Sequence, residues 1–138
     1  MSPRESDVTS KSDSNSGVER ISDAEHAVME VLWSDSPLSA ADVCDVVCKE
    51  RGWSIPTVKT LLSRLVTKGA LDTTPDGRRY LYTPLIERSA YVGTESKRLV
   101  ERLFGGRAAP LFAHLAESEA LSADDIAEIE RLLQEMKK

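Results

Sequence analysis

Ser54, Thr57, Lys59, Thr60, Ser63, Arg64 and Lys68 all fall within one stretch, WSIPTVKTLLSRLVTKG, from Trp53 to Gly69. With Thr67 they are its hydroxyl and charged side chains, and none is a carboxylate. Hydroxyls bond base edges and phosphate oxygens, and Lys and Arg neutralise phosphate charge. A carboxylate in the same place would repel phosphate. The chemistry on offer is recognition of a polyanion, not bond-making. Arg78 and Arg79 add two cations just downstream, in the short run PDGRR.

This basic run stands out against an acidic chain of formal net charge −5. From Ile21 to Glu50 seven acids face one cation, Lys49. From Arg51 to Tyr82 six cations face two acids, Asp72 and Asp76. Attraction to phosphate needs such a local patch, not a basic whole. Double-stranded DNA is the partner implied. One alternative stays open: a protein–protein module whose basic face meets an acidic partner, without sequence-specific DNA binding.

Other residues offer less. An enzyme needs a nucleophile with a base, paired acids or a metal site. None is legible here, so no catalysis, cofactor or metal is expected. Cys44 and Cys48 stand four apart. Core packing is expected of them, because free cysteine is among the most buried residue types. A disulfide within one helical turn is not expected, because the side chains run nearly parallel and the bond geometry is demanding. His26 and His114 show no zinc-ligand spacing and read as half-buried helix residues. Trp33 and Trp53 read as core or hinge packing, and one of Tyr80 and Tyr82 as packing on the third helix.

Helices must position these groups. SDAE at Ser22–Glu25, SAAD at Ser39–Asp42 and SADD at Ser122–Asp125 each set a Ser three residues before an acid. That is capping-box spacing, in which each side chain bonds the other residue's backbone N–H. Apolar stripes at i, i+3, i+4, i+7 follow each signal. They are Ala24, Val28, Val31, Leu32; then Ala40, Val43, Cys44, Val47; then Ile126, Ile129, Leu132, Leu133, Met136. The basic stretch is itself a helix, with Ser54 as N-cap and Pro56 in its first turn, where the N–H has no helical partner. Its buried stripe is Val58, Leu61, Leu62, Leu65 and Val66. A hairpin follows, with its turn at Pro75-Asp76-Gly77. A longer helix from about Leu85 to Phe104, a short helix at APLFAHLAES and the last helix complete the order.

Helix–helix–helix–hairpin predicts a mainly α winged helix-turn-helix with a small β-hairpin wing, followed by a C-terminal helical segment. Residues 1–20 read as a disordered tail, being polar with little to bury. Residues 21–84 read as the winged-helix domain and 85–138 as a dimerisation domain. The last three helices have more apolar surface than so few elements can cover. The dimer contact is therefore placed on Leu99, Leu103, Phe104, Leu111, Ile126, Ile129, Leu132, Leu133 and Met136. No apolar run is long enough to span a bilayer, and the N-terminus lacks the apolar centre of a secretory signal. Cytoplasmic location is expected.

ISDAEHAVMEVLW, TVKTLLSRLVTKGAL, DGRRYLYTPL and RLFGG, in this order, resemble the penicillinase-repressor family of the BlaI/MecI/CopY type. The resemblance runs from Ile21 to the C-terminus. It implies a homodimeric repressor on a palindromic operator, with the third helix in the major groove and the hairpin as wing. The family's helix pattern falls on Thr57, Thr60, Arg64 and Lys68. In the penicillinase repressors a membrane sensor protease pathway triggers cleavage at an Asn-Phe bond in the short C-terminal helix, and alignment puts His114-Leu115 there. The copper-responsive branch carries a C-terminal cysteine cluster, whereas this chain has no cysteine after Cys48.

Overall fold

Each of the three Ser-x-x-acid signals closes a capping box and starts a helix. In the first, Glu25 N donates to Ser22 Oγ at 3.1 Å while Ser22 N donates to Glu25 Oε1 at 2.8 Å. The computed structural model describes residues 20–138. The tail expected over residues 1–20 lies outside them, Arg20 apart.

The elements run α1 (Asp23–Ser34), α2 (Ala40–Arg51), α3 (Ile55–Thr67), β1 (Leu71–Asp76), β2 (Arg79–Pro84), α4 (Arg88–Phe104), α5 (Ala108–Glu117) and α6 (Ala123–Met136). The strands pair antiparallel, from Leu71 opposite Pro84 to Asp76 opposite Arg79. Leu38 adds a one-residue bridge to Tyr82, widening the hairpin into a small three-stranded antiparallel sheet. The turn sits at Gly77-Arg78, later than the sequence suggested, and Pro75 lies within β1. Gly77 has φ +66°, the positive value that a two-residue hairpin loop requires.

The chain forms two compact units, divided between Gly93 and Thr94. In the first, α1, α2 and α3 enclose a core that includes Val28, Met29, Leu32, Val43, Leu62 and Leu65. Leu71 from β1, Ile86 and Tyr91 complete it. Trp33 is half-buried and its Nε1 donates to the Ile86 carbonyl at 2.9 Å. Arg88 grips Glu30 through Nε at 2.9 Å and a second nitrogen at 3.1 Å. The expected stripes on α1, α2 and α3 face this core. Tyr82 packs against it beside Leu38, and Tyr80 is exposed.

Cys44 and Cys48 correct the expectation from spacing: they are bonded to each other. Neighbours at i, i+4 on a helix already face the same way, and here the Cα atoms are 4.9 Å apart, within the range that disulfides bridge. The packing half of the expectation holds, since both are half-buried against the core. In the second unit His114 is exposed rather than half-buried, its ring 5.7 Å from that of Phe104. No helix among the described residues is long and apolar enough to cross a membrane.

Candidate nucleic-acid interface

α3 begins where the chain leaves extended geometry at Ser54, φ −110°, with Pro56 in its first turn. Ser54 caps by position only. Its Oγ lies 3.3 Å from Thr57 Oγ1 instead of bonding a backbone N–H. Val58, Leu61, Leu62 and Leu65 are buried, which turns the opposite side of the helix outward. Thr57, Lys59, Thr60, Ser63 and Arg64 are all exposed there. Thr60 Oγ1 donates back to the Pro56 carbonyl at 3.1 Å, which leaves its lone pairs available. Among the described residues, Lys59 and Arg64 make no ion pair. Two uncommitted cations and a row of hydroxyls thus share one acid-free face.

Lys68 does not belong to that face. It is the C-cap residue of α3, and its Nζ lies 2.7 Å from Glu25 Oε1 and 3.0 Å from the Arg20 carbonyl. Glu25 is only 2% exposed, so this carboxylate is a buried partner and not a surface charge. Burial is the largest influence on it and opposes its charge. Bonds from Lys68, the Ser22 N–H and the Ser22 hydroxyl together outweigh burial and hold its pKa below the ordinary glutamate value.

The two wing arginines also differ. Arg79 pairs with Asp76, its guanidinium 3.0 Å from Oδ2, and its field also reaches Asp42. Arg78, in the turn itself, is exposed and makes no ion pair among the described residues. The freer wing cation is therefore Arg78.

The acids gather elsewhere. Asp23, Glu30, Asp35, Asp42, Asp45 and Glu50 line an open groove between α1 and α2, and no residue of α3 borders it. Asp42 is held below the ordinary aspartate value chiefly by the Ser39 backbone N–H of its capping box. Arg51 also lines this groove and the field of Arg79 reaches Asp42, so the charge separation read along the sequence holds in space for α3 but not for every cation of the first unit.

In the second unit, α6 has no buried residue. Ile126, Leu132, Leu133 and Met136 are 45–79% exposed, and Ile129 is half-buried. Leu103 on α4 is exposed, while Leu99, Phe104 and, on α5, Leu111 are half-buried. His114 and Leu115 lie within the helical span of α5.

Comparison with known proteins fits this geometry. Residues 21–135 match the penicillinase repressor family. The penicillinase repressor of Bacillus licheniformis is 35% identical over 120 residues, spanning 87% of this chain and 94% of that protein. The methicillin resistance regulatory protein MecI of Staphylococcus aureus is 32% identical over 113 residues, 82% of this chain and 92% of the relative. Among solved structures, the DNA-binding domain of the repressor BlaI matches with 42% identity and a TM-score of 0.50, covering 54% of this chain and 90% of that one. A match over nearly the whole chain, on a winged-helix fold, shows that the protein belongs to the penicillinase repressor family, whose members are transcriptional repressors and not enzymes.

Proposed function

We propose that the protein binds double-stranded operator DNA as a homodimer and represses transcription from it, with α3 in the major groove and the β1–β2 hairpin against the flanking backbone. The observation that carries this is the exposed, acid-free face of α3, where Lys59 and Arg64 make no ion pair among the described residues. Ser54, Thr57, Thr60 and Ser63 supply hydroxyls to base edges or phosphates, and Arg78 supplies a phosphate contact from the wing. The relatives named as repressors, and the BlaI domain described as DNA-binding, support the same reading.

The exposed apolar residues of the second unit support a two-fold assembly. The apolar face of α6 is uncovered in the single chain and forms an interface when two copies meet. Two α3 helices then address a palindromic site whose halves lie about one DNA turn, or a multiple, apart. Release from the operator follows a signal, and proteolysis in α5 near His114-Leu115 is the route the family suggests.

Selection of binding sequences from a pool of random duplexes tests this. An enriched inverted repeat, bound less tightly as salt rises, is the expected result. No enrichment, together with binding to acidic polypeptides in the same buffer, would favour the protein–protein module.

A further inference from the structure

Among the described residues, a charged contact joins the first turn of α1 to the C-cap of α3. Glu25 stands in the first turn of α1, and Lys68 caps the C-terminal end of α3. A single carboxylate oxygen, Glu25 Oε1, accepts from Lys68 Nζ at 2.7 Å and from Ser22 N at 2.8 Å. Lys68 Nζ also donates to the Arg20 carbonyl at 3.0 Å. The capping box of α1 and the end of α3 thus share one atom.

Val28 and Leu32 of α1 and Leu62 and Leu65 of α3 are buried in one apolar core cluster. Packing of such side chains sets a crossing angle only to within about 15–20°. Charge-assisted hydrogen bonds are directional and short. Thr57 lies about 16 Å along the axis from Lys68, at ~1.5 Å per residue, so a tilt of roughly 5° about that end would displace it by about 1.4 Å. A displacement of that size exceeds the tolerance of a hydrogen bond to a base edge.

We propose that Glu25 and Lys68 form a positioning latch, which fixes the angle of α3 against α1 and so aligns its exposed face with DNA. The pair acts at a distance: neither residue touches nucleic acid. The proposal rests on α3 being the DNA-reading helix, and its tests distinguish the two.

Glu25→Gln keeps the shape and an oxygen acceptor but removes the charge. If Lys68 contacted DNA, losing its acidic partner would free the ammonium and tighten binding. If the pair is a latch, binding to a selected duplex weakens by roughly two- to thirtyfold, the range for residues that act on a site without touching it. Lys68→Met should weaken binding similarly and leave the slope of log K against log salt unchanged, whereas loss of a phosphate contact lowers that slope by about one. The doubly substituted chain should lose no more than either single one, since each removes the same interaction. Measurements at a temperature where circular dichroism shows every variant folded exclude a loss through unfolding. Tighter binding by Glu25→Gln, a reduced slope for Lys68→Met, or unchanged affinity in both folded variants overturns the latch. If the unsubstituted chain binds no duplex, or Arg64→Ala binds as it does, the assignment of α3 fails instead.

Discussion

Glu25 carries a negative charge in a nearly closed site, and its protonation has a cost that the fold must meet. Its folded pKa lies below the ordinary value, which is about 4.3 in an unfolded chain. Its contribution to stability is therefore complete above that unfolded value and is lost as pH falls through the lower folded one. Glu30, lowered chiefly by its hydrogen bond from Arg88, and Asp42 add to the same trend. The urea midpoint should fall on acidification from about pH 5 to about pH 3, and Glu25→Gln should flatten part of that fall. An unaltered pH dependence in the variant would show that the carboxylate gains nothing from Lys68. Lys59 and Arg64 behave differently, because both are exposed and make no ion pair among the described residues. Replacing either by Ala should change folding stability by no more than about 0.5 kcal/mol. Each replacement should nonetheless weaken operator binding, and fluorescence anisotropy at several salt concentrations should show the slope reduced by about one wherever a phosphate contact is lost.

The wing shows how two adjacent cations acquire different uses. Arg79 sits at the first position of β2, where the register sets it opposite Asp76 and its guanidinium folds onto that carboxylate. Arg78 occupies the turn and makes no ion pair among the described residues. Arg78→Ala should weaken binding to operator and to random duplex by similar factors, as a backbone contact does, while Arg79→Ala should have the smaller effect. A larger loss from Arg79→Ala in a gel-shift titration would contradict this ranking. Helix starts were legible because capping boxes are local chemistry, and the α1–α3 stripes because burial imposes the helical period. Lys68 was grouped with α3's exposed cations because its sign matched the face beside it, whereas the structure pairs it with Glu25. Lys68 stands seven residues after the buried Leu61 and so shares that stripe. Glu25 stands three, four and seven residues before the buried Val28, Met29 and Leu32. Opposite charges, each on the apolar stripe of its own helix, were the signal of a buried pair. The Cys44–Cys48 bond was not legible, because spacing alone does not say whether two facing thiols approach closely enough to join. Nor was the asymmetry of the wing, which depends on a turn placed later than Pro75 suggested.

Across the molecule, charge and apolar surface are assigned to separate places. The first unit gathers six acids in the α1–α2 groove, with Arg51 among them, and holds Lys59, Arg64 and Arg78 outside it, on α3 and the wing. The second unit carries the uncovered stripe of α6. A chain ending after Gly93 keeps Ile86, Tyr91 and the Trp33 hydrogen bond, so it should stay folded. It should sediment as a monomer and bind operator far more weakly, because joining two half-sites raises affinity through effective concentration. Persistent dimerisation of that shortened chain would remove α6 from the interface. The central claim is that the acid-free face of α3 meets DNA, and amide chemical-shift mapping on the full chain with a selected duplex addresses it residue by residue. The account predicts the largest shifts at Thr57, Lys59, Thr60, Ser63 and Arg64, a second set at Gly77 and Arg78, and little change at Asp35, Asp45 and Glu50. Saturable DNA binding with shifts centred on the α1–α2 groove, and none on α3, would contradict it.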